Sequence, residues 1–154
     1  MTAKPLFRGQ DGAPEPLRAS VTRRVRFEEV DQLGIVWHGR YPGFFEDARV
    51  ALTDAHDIGY LDFFDQGILT PLKQLFIDYR RPLHHKENFS IEAALHWSDA
   101  ARLNFEYVIR NERGEVATTG SSVQLMLDLS RNILLVHPPF FQEFRERWKA
   151  GTLT

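Results

Sequence analysis

Tyr41-Pro42-Gly43-Phe44-Phe45-Glu46-Asp47-Ala48-Arg49-Val50-Ala51-Leu52-Thr53-Asp54-Ala55 is the stretch on which the fold turns. Tyr41, Phe44, Phe45, Ala48, Ala51, Leu52 and Ala55 recur at i, i+3, i+4 and i+7 intervals, so one face of a helix is apolar along its length. Pro42 falls in the first turn, where an N–H would have no intrahelical acceptor. Glu46, Asp47, Arg49 and Asp54 lie mostly off the stripe. The pattern predicts a helix of about 24 Å, at roughly 1.5 Å per residue.

On either side of this helix the period changes. Val21, Val25 and Phe27 alternate with Thr22, Arg24, Arg26 and Glu28, and only Arg23 breaks a period of two, so a strand is expected from Val21. Residues 29–40, with Asp31, Gln32, Gly34 and Gly39, read as a loop feeding the helix. Residues 57–69, with Gly59 and Gly67, connect the helix to a run of strands. Leu75, Ile77 and Tyr79 alternate with polar neighbours. Phe89, Ile91, Ala93, Leu95 and Trp97 do the same, as do Leu103, Phe105, Tyr107 and Ile109. Asn111 to Gly114 has hairpin turn chemistry, and a long strand is expected from Val116 to Asp128 with a bend or bulge at Gly120. A short final strand is expected over Ile133–Val136, then a helix opened by Pro138-Pro139 that carries Phe140, Phe141, Phe144 and Trp148 on one side. One apolar helix among antiparallel strands gives an α+β fold, with a curved sheet wrapped around the helix.

Composition limits the possible functions. The 154 residues fit one domain, expected over residues 21–154 behind a flexible N-terminal tail over residues 1–20. With 19 basic against 21 acidic residues there is no basic footprint for nucleic acid. There is no cysteine, hence no disulfide, no thiolate nucleophile and no Cys-ligated metal. No apolar run approaches the ~20 residues of a membrane span, and the proline-rich, charged start has no signal-peptide core, so a cytoplasmic location is expected. Asn88-Phe89-Ser90 fits the glycosylation pattern but has no use there.

The stretch Asp31-Gln32-Leu33-Gly34-Ile35-Val36-Trp37-His38-Gly39-Arg40-Tyr41, continued by Phe45-Glu46 and Ala48-Arg49, resembles the 4-hydroxybenzoyl-CoA thioesterase family. Its pattern is an Asp, a Gly three residues on, an apolar pair, an aromatic, then His or Tyr leading into the long helix. Weaker similarity lies in Gly67-Ile68-Leu69-Thr70-Pro71 and in Asp78-Tyr79-Arg80-Arg81-Pro82. The resemblance implies the hotdog fold and hydrolysis of an acyl-CoA thioester, aromatic or of short to medium chain. It also implies a homodimer or homotetramer and no metal or cofactor. Asp31 takes the position of the catalytic carboxylate, acting as nucleophile or general base. His38 takes the position whose backbone N–H polarises the thioester carbonyl, with its ring a second catalytic candidate. Gly34 keeps the loop tight, and Trp37 and Tyr41 flank the acyl group. Glu46 matches a branch of the fold that places its carboxylate on the helix, and Thr70 belongs to the second matching stretch; both are expected at the substrate. Arg102 is the first candidate for the CoA phosphates, with Arg80, Arg81 and Arg131 behind it.

The chemistry agrees with that reading. A thioester carbonyl gains negative charge under attack, and a helix N-terminus offers unpaired N–H groups and the positive end of a dipole. The loop from Asp31 delivers the chain into such a terminus. An isolated loop aspartate is most often a turn former; here the whole surrounding stretch raises Asp31 above that reading. Two alternatives remain open: hydrolysis of a thioester on acyl-carrier protein, and an acyl-CoA-binding protein without turnover. The Gly-x-Ser-x-Gly elbow, the Gly-x-Gly-x-x-Gly fingerprint and the P-loop are absent, and His84-His85 lacks the Asp-Gly that would follow it in a CoA acyltransferase.

Overall fold

The computed structural model describes Phe7 and residues 9–153. Numbered in chain order, the elements are β1 (Leu17–Arg24), α1 (Tyr41–Ala55), α2 (Tyr60–Asp65), β2 (Ile68–Leu69), β3 (Leu72–Tyr79), β4 (Asn88–His96), β5 (Arg102–Arg110), β6 (Val116–Leu125), β7 (Leu127–Asp128) and α3 (Pro139–Ala150). Short 3-10 turns lie at Phe27–Glu29 and His38–Arg40. Five strands form one antiparallel sheet in the order β1-β4-β5-β6-β3, while β2 and β7 pair apart from it.

Helix α1 lies across the sheet's inner face and buries most of its apolar stripe; Ala51 is half-buried and Ala55, in the last turn, is exposed. Tyr41, Phe44, Phe45, Ala48 and Leu52 are all buried, the last two completely. Phe45 stacks flat on Tyr107 of β5, with ring centroids 4.4 Å apart, and Phe44 packs against Phe89 of β4 at 4.8 Å. Gly120 makes this approach possible. A Cβ there would lie 2.5 Å from the Phe45 ring and 2.7 Å from the carbonyl oxygen of Phe76. This is the hotdog architecture, a sheet wrapped around one central helix. Helix α3 closes one end by burying Phe141, Phe144 and Trp148, and the Trp148 indole donates 3.0 Å to the Glu15 carbonyl.

Several expectations are corrected. β1 begins at Leu17, so residues 17–20, expected in the tail, belong to the sheet. The rest of that expected tail falls partly on residues 1–6 and 8, outside the described residues. Phe27 is 78% exposed in a 3-10 turn, because the strand ends at Arg24. Gly120 makes no bulge: it pairs in register with Ile77 and Tyr107, and its role is the contact with Phe45. The long strand is interrupted at Met126, which is buried, dividing β6 from β7. Residues 133–136 form no strand beyond the single Leu127–Ile133 bridge. Helix α2 occupies part of the stretch expected only as a connector.

Candidate active site

Local hydrogen bonds shape the loop before α1. The Leu33 N–H donates to Asp31 Oδ1 at 2.8 Å and the Gly34 N–H donates to the Asp31 carbonyl at 3.0 Å. The Asp31 N–H closes the loop on the Ile35 carbonyl at 2.9 Å. Gly34 has φ +76°, a left-handed conformation in which a side chain is strained, so the tight turn needs glycine. The other side of the loop is anchored to the segment after β3. The His85 N–H donates to Gly34 O at 3.2 Å and the Val36 N–H to Leu83 O at 2.9 Å. The Trp37 N–H reaches back to Glu29 O at 2.9 Å. The chain then makes the His38–Arg40 turn and enters α1.

The result is an open pocket of about 390 Å³ lined by Asp31, Ile35, Val36, His38, Tyr41, Tyr79, Arg80, Arg81 and Pro82. One oxygen of Asp31 is occupied by its own turn, and Oδ2 takes no hydrogen bond among the described residues. His38, also in the lining, opens a 3-10 turn whose first N–H groups have no acceptor within the turn. The Tyr41 hydroxyl is pushed up to about 12 by burial, beside the Thr118 hydroxyl and the Leu83 backbone N–H. Burial also raises the Tyr79 phenol, so both stay protonated near neutral pH and neither supplies a base. Arg80 is paired with Asp78 at 3.0 Å and Arg81 with Glu115 at 3.4 Å, and both remain partly exposed at the mouth.

Asp31, His38 and Tyr41 therefore come together, with Gly34 shaping the turn beneath them. Trp37 is half-exposed and lies over Gly39, where a Cβ would be 2.3 Å from its ring; it is not in the pocket wall. Glu46 and Thr70 line a different pocket of about 260 Å³, together with Arg49, Tyr60, Leu72 and Gln124. There the Gln124 amide donates to Thr70 O at 2.9 Å, and Arg49 lies 3.8 Å from Glu46 and donates to the Tyr107 hydroxyl at 3.4 Å. Arg102 opens β5 outside both pockets. Tyr79 was not among the expected site residues. The signals for it were its place in the β3 alternation and in the Asp78–Pro82 similarity.

Comparison with known proteins identifies the family. Residues 25–147 match the thioesterase-like superfamily. The chain belongs to that superfamily. Thioester hydrolysis is the activity of the family. This thioesterase-like chain is 32% identical over 106 residues to a Bacillus subtilis (strain 168) protein named "Putative acyl-CoA thioesterase YneP", covering 68% of this chain and 75% of that one. Among solved structures it is similar to a DHNA-CoA thioesterase from Staphylococcus aureus, at TM-score 0.76 and 26% identity, covering 86% of this chain and 91% of the other. A 1,4-dihydroxy-2-naphthoyl-CoA thioesterase from Synechocystis, Slr0204, shares the fold at TM-score 0.73 and 17% identity over 83% of this chain and 95% of its own. Among the described residues, no helix of this thioesterase-like chain is long and apolar enough to cross a membrane.

Proposed function

We propose that the protein hydrolyses acyl-CoA thioesters of the 4-hydroxybenzoyl-CoA thioesterase type, with Asp31 as the reacting carboxylate. The observation that carries this reading is the shared pocket of Asp31 and the His38–Arg40 turn. The thioester oxygen takes the N–H of His38 at the helix opening, where charge develops as the carbonyl is attacked. Asp31 either attacks the carbonyl carbon, giving a mixed anhydride and releasing the thiolate, or takes a proton from the attacking water. Either route ends in free acid and CoA. Apolar Ile35 and Val36 and the Tyr41 ring form the wall for an aromatic or short to medium acyl group. Arg80 and Arg81, at the mouth, suit the CoA phosphates better than Arg102, which lies away from the pocket.

The active species in this proposal is a homodimer, alone or within a tetramer, formed through β3. That strand has no neighbour on its outer side among the described residues, and Leu72 and Phe76 are both more than half exposed. A two-fold pairing of β3 with its copy sets the strands antiparallel. The Leu72 end, beside the Glu46 and Thr70 pocket, then meets the partner's Tyr79 end, beside the Asp31 pocket. Residues that lie apart in one chain become neighbours across the pair, which gives Glu46 and Thr70 access to substrate. The test is thiol release from a panel of aromatic and aliphatic acyl-CoAs. Asp31→Asn should lower turnover by about 10²-fold or more, the weight of a positioned acid–base group, whereas undiminished turnover contradicts the proposal.

A further inference from the structure

The turn that opens α1 is tied to the sheet by a side chain. In the 3-10 turn His38–Arg40 the backbone partner of the His38 carbonyl is the N–H three residues on, that of Tyr41. A second donor comes from another element: the Tyr79 hydroxyl donates to the His38 carbonyl at 2.7 Å. Tyr79 is the last residue of the edge strand β3, and its ring meets Tyr41 edge-on at 5.0 Å and 89°. Tyr41 is itself 3% exposed and fixed in the core, so the phenol of Tyr79 has a rigid support on one side.

We propose that Tyr79 is a positioning residue of the thioester site, holding the His38–Gly39 peptide and with it the turn whose His38 N–H meets the reacting carbonyl. This rests on the reading of the His38 turn as the place where thioester charge develops. The physical route is short. A peptide unit is planar, so a hydrogen bond to its carbonyl fixes the direction of its N–H, which here belongs to Gly39. A carbonyl that accepts a hydrogen bond also makes the N–H of the same unit a stronger donor. Gly39 cannot be held by a side chain of its own, because the Trp37 ring occupies the space where a Cβ would lie. Trp37 leaves no room for a side chain at Gly39, and Tyr79 holds the peptide from the strand.

Removing one oxygen tests this. Tyr79→Phe should lower kcat about fivefold to tenfold, the net weight of one hydrogen bond, with KM and assembly state unchanged. The Gly39 amide resonance, followed by NMR without substrate, should move upfield in Tyr79→Phe while that of Ile109 stays in place. An unchanged kcat in Tyr79→Phe, or a loss that appears in KM instead, overturns the proposal. So does a Gly39 amide that does not move, which needs no turnover to read. Failure of the thioesterase reading would show separately, as no thiol release by wild type across the acyl-CoA panel.

Discussion

The two edges of the sheet are built in opposite ways. β1 presents Arg18, Ser20, Thr22 and Arg24 to solvent and turns Leu17, Ala19 and Val21 inward. Charge and alternation make this edge a poor template for another strand. β3 exposes Leu72, Leu75, Phe76 and Tyr79 along an equally unpaired flank. An exposed apolar edge is a liability unless something pairs with it. In the proposed assembly the two edges do different work: β1 ends the sheet, and β3, which also carries Tyr79 into the pocket wall, is the edge that pairs with a second copy.

The largest effect should come from charging the β3 edge. Phe76→Lys should convert the protein to monomer in sedimentation and lower thiol release by about 10²-fold, because substrate loses the positioning groups across the pair. The matching change on β1, Thr22→Lys, should leave both unchanged. Equal effects at the two edges would remove the distinction drawn between them. Next comes the seam that holds β3 against the helix. Gly120→Ala places a methyl group against the Phe45 ring and the Phe76 carbonyl, and overpacking of this kind costs about 1–3 kcal/mol, readable as a lower melting temperature.

Alkaline pH probes the same side of the molecule. Tyr41 titrates at about 12 when folded, against 10.0 in the unfolded chain. A raised folded value means the stability it supports is fully present below pH 10 and is lost as pH rises toward 12. Two units correspond to about 2–3 kcal/mol. Burial raises Tyr79 and Tyr107 as well, so their loss adds in the alkaline range. Denaturant titrations between pH 9 and 12 should fall less steeply for Tyr41→Phe than for wild type. The smallest effect belongs to β1: the Arg18–Glu92 pair at 2.8 Å is largely exposed, and Arg18→Ala should change stability by less than about 1 kcal/mol.

How much of the fold and the site is legible in the sequence depends on how strongly each residue's burial follows its spacing. α1 and the strands β4 and β5 bury every second or every third and fourth residue, and periodicity finds them. β1 starts earlier than its alternation suggests, because Pro14 and Pro16 read as tail and its inward residues Leu17 and Ala19 are only partly buried. Residues 133–136 mislead in the other direction: Leu135 is 88% exposed and Val136 75%, an apolar run with no strand beneath it. At the site, Asp31, Gly34, His38 and Tyr41 are consecutive enough for a motif to unite them. Glu46 and Thr70 are not in their pocket, since helical phase turns Glu46 to another face and Thr70 follows β2 on the far end of β3. Tyr79 escapes because its contacts run from the end of β3 to the His38 carbonyl and the Tyr41 ring, about forty residues away in the chain, and such a contact leaves no period in the sequence.

The most direct test of the central claim is thiol release by wild type and Asp31→Asn across aromatic and aliphatic acyl-CoAs, with folding of the variant checked by its melting temperature. The account predicts turnover by wild type and its loss in a variant that melts as wild type does. Turnover of the same size in both proteins would contradict it, and would move the chemistry away from Asp31.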